Sequence, residues 1–114
     1  MKTYTGATGY VYQFYFVGKR TALESDPSAP ATEFIFDVTP DRKTMFAISV
    51  LLREAATRMW AENHGRALTE PEQYAAAKLR LLQAFDELEH IHERLRVVIE
   101  AEQIEELLSP LGLD

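Results

Sequence analysis

The chain contains no cysteine. That excludes disulfide staples, a thiolate nucleophile and any zinc site built on sulfur. It also has no apolar run approaching the roughly 18 residues of a membrane-spanning helix. The N-terminus, MKTYTGATGYVYQFYF, has one early lysine but neither the apolar core nor the cleavage-site pattern of a secretory signal. A cytoplasmic protein is the expectation. Positive charge is scarce: 12 Lys and Arg stand against 18 Asp and Glu, and the only basic clusters are the pairs Lys19-Arg20 and Arg42-Lys43. A phosphate backbone calls for a concentrated basic patch, so direct nucleic-acid binding is not expected.

Catalytic signatures are missing as well. There is no Gly-x-Ser-x-Gly, no phosphate-cradling Gly-x-x-x-x-Gly-Lys and no dinucleotide fingerprint. The segment TGATG has two glycines three apart, but no helix pattern follows to receive a phosphate, and it reads as a flexible lead-in to a strand. None of the four serines, at 25, 28, 49 and 109, has a nucleophile signature around it. The expectation is a non-enzymatic protein without a cofactor.

What is present suits one domain, residues 1–114, with 46% hydrophobic and 26% charged residues, enough to bury a core without staples. The charge is uneven. Residues 1–60 carry 7 basic and 6 acidic side chains, whereas residues 61–114 carry 5 and 12.

The segment GYVYQFYFVGKR is the clearest strand, dense in aromatic and β-branched residues. Tyr10, Tyr12, Phe14 and Phe16 share one face, and Val11, Gln13, Tyr15 and Val17 the other. Neither face is polar, which predicts a strand covered on both sides, the second cover being another subunit if not another element. A Ser, Pro and Ala-rich stretch then predicts a mobile loop over residues 19–32 between the first and second strands. TEFIFDV alternates with Phe34, Phe36 and Val38 inward and Glu33 and Asp37 outward. The turn TPDRK and the strand TMFAISVLL complete an antiparallel hairpin.

Past Leu52 the apolar period lengthens, with Leu52, Ala55, Ala56, Met59 and Trp60 marking a helix that stops at Gly65. Thr69-Glu-Pro-Glu72 is a capping box opening a second helix of about 24 residues. LRVVIE reads as a fourth strand, with helix continuation as its rival, and AEQIEELL as a short acidic helix ended by Ser109-Pro110. The predicted fold is α+β: an antiparallel sheet of three to four strands, a helix pair packed on one face and a short C-terminal helix.

One stretch invites a metal reading. DELEHIHE, residues 86–93, sets His90 and His92 among acids. On a helix at 100° per residue, with Leu81 as zero, His92 falls near 20° in the apolar stripe and His90 near 180° on the opposite side. Two histidines so placed do not share an ion; a helical chelate uses i, i+3 or i, i+4 spacing. The remaining pairs, Glu89 with His92 or Asp86 with His90, are weak candidates, and no metal is expected.

The leading expectation is an interaction domain that self-associates as a homodimer. It rests on the two-faced aromatic strand, whose tyrosines Tyr10, Tyr12 and Tyr15 retain a polar atom suited to an interface, with Lys19 and Arg20 following. The first alternative is an acidic inhibitor or adaptor that presents Glu87, Glu93, Glu100, Glu102, Glu105 and Glu106 to a basic protein partner. The second is a small enzyme or metal binder centred on His90, His92 and their neighbouring carboxylates.

Overall fold

A computed structural model of the 114-residue chain describes residues 2–6, 9, 11–22, 30–87 and 96–113. Five strands form one mixed sheet in chain order: β1 (Lys2–Thr5), β2 (Val11–Ala22), β3 (Ala31–Thr39), β4 (Phe46–Arg53) and β5 (Arg96–Ile99). Neighbours are antiparallel from β1 to β4, whereas β5 runs parallel to β4. Between these two strands lie α1 (Glu54–His64) and α2 (Glu70–Glu87). A single-turn 3-10 helix (Ala101–Gln103), α3 (Ile104–Leu108) and a second 3-10 turn (Ser109–Leu111) follow β5.

The α+β class holds, and the hairpin of β3 and β4 pairs as its alternation predicts. The sheet is wider than predicted and not purely antiparallel. β1 is too short to show a period: only Tyr4 of its four residues turns toward the core, where it stacks on Phe85. The parallel pairing of β5 follows from chain order, because the two helices carry the chain back to the starting end of β4. Within LRVVIE, Arg96–Ile99 form a strand, as one of its two readings had it. The short C-terminal helix is α3, and it packs with the other two helices, with Ile104, Leu107 and Leu108 in the same buried cluster as Trp60 and Leu81.

The loop predicted over 19–32 is shorter at both ends, since β2 runs through Ala22 and β3 begins at Ala31. A β-bulge causes the discrepancy. Phe16 pairs with Phe36 and Gly18 with Ile35, so Val17 is an extra residue that resets the alternation and hides the strand's continuation. Residues 23–29 lie outside the described residues, as do Tyr10 and the stretch 88–95.

Helix punctuation follows the sequence. Gly65 ends α1 with φ 74°, where a side chain would be strained, and its N–H bonds back to Ala61. Thr69 and Glu72 exchange hydrogen bonds at the start of α2: the Thr69 N–H donates to Glu72 Oε1 (2.8 Å) and the Glu72 N–H to Thr69 Oγ1 (3.3 Å). Arg66 adds a bidentate contact of 2.8 and 2.9 Å, and this guanidinium, followed by the Thr69 N–H, holds the Glu72 carboxyl down at about 2.

The core lies between the helices and one face of the sheet. Phe34, Phe36 and Val38 of β3 and Ile48, Val50 and Leu52 of β4 meet Ala77, Leu81, Ala84 and Phe85 of α2 and Trp60 of α1. Phe85 is the hub: Tyr12 lies flat on it at 4.4 Å between centroids, with Phe14 at 5.8 Å and Tyr4 at 5.9 Å. Among the described residues no helix is long and apolar enough to cross a membrane.

Candidate interaction surface

The alternation of β2, β3 and β4 assigns a second set of residues to the face turned away from the helices. Cross-strand partners build it row by row. Arg20, Glu33, Leu51 and Val98 form one row, Gly18, Ile35, Ser49 and Arg96 the next, then Tyr15, Asp37 and Ala47. Gln13 and Thr39 continue it, with Val11 beside Thr5. Leu51 and Ala31 are buried but stand outside the core cluster, which shows how separate this face is. The shortest dimension of the molecule, 21 Å, is that of one sheet carrying one helix layer.

Two large apolar side chains here meet solvent, Val11 at 48% and Tyr15 at 41% exposure, and the bulge residue Val17 between the strands' rows is 53% exposed. Beside them the face carries a polar cluster. Glu33, only 5% exposed, accepts from Arg20 Nε at 2.7 Å and from Ser49 Oγ at 2.5 Å. The Ser49 hydroxyl, then Arg20 and Arg96, hold the Glu33 carboxyl below its ordinary range against the opposing effect of burial. The Tyr15 hydroxyl donates to Asp37 at 2.7 Å, which raises the phenol above its usual value.

The predicted surface residues thus divide. Tyr15 and Arg20 lie on this open face. Tyr12, expected at the surface, is buried beneath Phe85, because its parity is that of the core. Lys19 falls on the helix side of the sheet, 3.4 Å from Glu70 and over the Phe34 ring at 6.0 Å. Tyr10 lies outside the described residues.

Both sheet edges are blunted. β1 pairs only with Val11 to Phe14, so Tyr15 to Ala22 of β2 have β3 on one side and, among the described residues, no strand on the other. That length carries the bulge at Val17 and the cations Lys19 and Arg20, devices that discourage addition of a further strand. At the opposite edge Arg80 Nε donates to the Val98 carbonyl of β5 at 3.1 Å.

The acids of the C-terminal half are partly committed within the chain. Glu100 and Gln103 form a capping box, and Glu100 also faces Arg53 at 3.7 Å. Glu105 accepts from His64 Nε2 at 2.9 Å and from Asn63 at 3.3 Å; the imidazole is the main cause that lowers its carboxyl. His64 stacks on Trp60 of its own helix at 4.1 Å, and its contact with Glu105 ties α1 to α3. Sequence reading missed this pair because 41 residues separate its members. Glu102 and Glu106 are exposed, and Glu87 stands 3.6 Å from Arg80.

Of the metal candidates, His90, His92 and Glu89 lie outside the described residues, as does Glu93. Asp86 accepts a hydrogen bond from the Tyr4 hydroxyl at 2.8 Å. Among the described residues no group of three or more His, Asp or Glu is placed to hold a metal ion. No family model matches the chain, and neither a curated protein nor a solved structure matches it.

Proposed function

We propose that this chain is a small, non-enzymatic interaction domain that pairs with a second copy of itself through the helix-free face of its sheet. One observation carries the reading: Val11 and Tyr15 are exposed on a face that also holds Ile35, Leu51 and Val98. Apolar surface gathered on one face of a small domain favours association.

Size supports it. Five strands about 4.8 Å apart and about eight residues long span roughly 24 by 26 Å, or about 600 Å² before side-chain relief is counted. A standard interface buries about 800 Å² per partner. The blunted edges favour stacking of faces over extension of the sheet. Charge is compatible with a twofold. Arg53 and Arg20 lie toward one end of the face, Arg20 paired there with Glu33, and Asp37 lies toward the other. A twofold axis running across the strands sets the Tyr15–Asp37 end of one copy over the arginine end of its partner.

Sedimentation equilibrium of the untagged protein over a hundredfold range of concentration tests this. Reversible dimerisation is expected. A monomer at every concentration would remove the proposal.

A further inference from the structure

A second feature lies on the helix side of the sheet and is independent of self-association. Lys2 pairs with Phe14, so its side chain shares the helix face with Phe14 and Tyr4. Aromatic contacts fix how β2 runs along α2: Tyr12 and Phe14 meet Phe85, and Phe16 meets Tyr74 edge-on at 5.0 Å. Lys78 lies between those two levels, one turn past Tyr74 and two before Phe85, on the same side of α2. The Lys2 and Lys78 amines come within hydrogen-bonding reach of each other.

Two ammonium groups have only donors to offer, so they repel unless one gives up its proton or an anion comes between them. The Lys78 amine is accordingly held below the usual lysine range, first by its contact with Lys2 and then by burial. Among the described residues neither amine has a carboxylate partner. The acids of α2 are engaged elsewhere: Glu70 faces Lys19 at 3.4 Å, Glu72 holds Arg66, Asp86 accepts from Tyr4, and Glu87 faces Arg80. The pairing of β1 with β2 ends at Lys2, which leaves the Phe16 ring, one row on, 39% exposed at the edge of β2.

The arrangement selects a ligand. Two adjacent positive donors match a dianionic oxyanion better than a singly charged one. Two cations are too few for a nucleic-acid backbone or an anionic membrane, which call for a concentrated basic patch, and the net charge of −6 opposes both. An exposed ring beside the amines favours a planar group attached to the anion.

We propose that Lys2, Lys78 and Phe16 form a binding site for a small phosphomonoester that carries a planar ring. The phosphate oxygens accept from both amines, and the ring lies against Phe16.

Heteronuclear NMR of the full chain at about pH 7.5, where a phosphomonoester is mostly dianionic, tests the proposal. Phenyl phosphate should give saturable shifts at the side-chain methylenes of Lys2 and Lys78 and at the Phe16 ring. Methyl phosphate, which lacks the ring, should bind roughly three- to tenfold more weakly. Methyl sulfate, with one negative charge, should lose at least about another tenfold. Lys78→Gln should weaken phenyl phosphate at least about tenfold, and Phe16→Leu should remove its advantage over methyl phosphate. Circular dichroism checks folding; if Lys78→Gln does not fold, Lys2→Gln, at an exposed strand position, should show the same loss and carries the test. Absence of saturable shifts with phenyl phosphate, methyl sulfate binding as tightly as methyl phosphate, an unchanged affinity in the lysine variant, or a Phe16→Leu variant that keeps the preference for the ring would each overturn the proposal.

Discussion

Replacing Phe85 with alanine tests the packing on which the whole arrangement depends. Phe85 has no exposed surface, and three aromatic rings converge on it from two strands. A buried Phe→Ala change costs about 3–5 kcal/mol, the cost rising with the volume left empty. Tyr12, Phe14 and Tyr4 are fixed by their strands and have little freedom to collapse into the space. The loss should therefore fall in the upper half, at about 4 kcal/mol. A domain of this size has roughly 5–15 kcal/mol in total, so the variant folds but with little margin. At about 4 °C per kcal/mol the midpoint drops by about 15 °C. Urea and thermal unfolding followed by far-UV circular dichroism measure both, and the near-UV tyrosine signal should weaken as the Tyr12 stack is lost. Met59→Ala, at a position 41% exposed, is the control and should stay within about 0.5 kcal/mol of the parent. A loss below about 1.5 kcal/mol for Phe85→Ala would show that the three rings do not pack as described.

Other consequences follow from single residues. Thr69→Ala should cost about 1 kcal/mol in urea unfolding and raise hydrogen exchange at the Glu72 amide, because that N–H loses its acceptor. Gly65→Ala places a side chain at positive φ and should cost about 1 kcal/mol, read as a lower thermal midpoint. Glu33 gives a pH prediction. Its carboxyl is held low by Ser49 and then by Arg20, so the folded state takes up that proton less readily than the unfolded chain. Its contribution is complete above the unfolded carboxylate's pKa and is lost as the pH falls through the lower folded value. Glu33→Gln should therefore flatten the decline in stability below about pH 4.5, and an acid limb identical to the parent's would contradict the Glu33 contacts.

Legibility in the sequence depended on how local each signal is. The alternation of TEFIFDV, the Gly65 stop and the Thr69–Glu72 box are set by residues within a few positions of one another, and each appears as read. The strand TMFAISVLL and its antiparallel partner were equally plain. The first aromatic strand was harder. Both of its faces are apolar, and composition alone did not say which would be covered; Tyr12 faces the core and Tyr15 faces outward because α2 packs on one side only. The bulge at Val17 broke the period and concealed the last residues of β2. β1 shows no pattern in its four residues and is held by pairing with a strand that follows it. The long-range features left no local mark at all. Glu33 reaches Ser49, His64 reaches Glu105, and Arg80 reaches the Val98 carbonyl, each across an interval no short motif spans.

If the open face of the sheet is the dimer contact, a paired charge variant on that face breaks it. Val11→Glu with Tyr15→Glu adds two like charges to that face without touching the core cluster. Sedimentation equilibrium of this double variant beside the parent, with circular dichroism to confirm equal folding, is the decisive measurement. The parent should be a concentration-dependent dimer and the variant a folded monomer. A variant that dimerises as tightly as the parent would place the contact elsewhere and contradict the account.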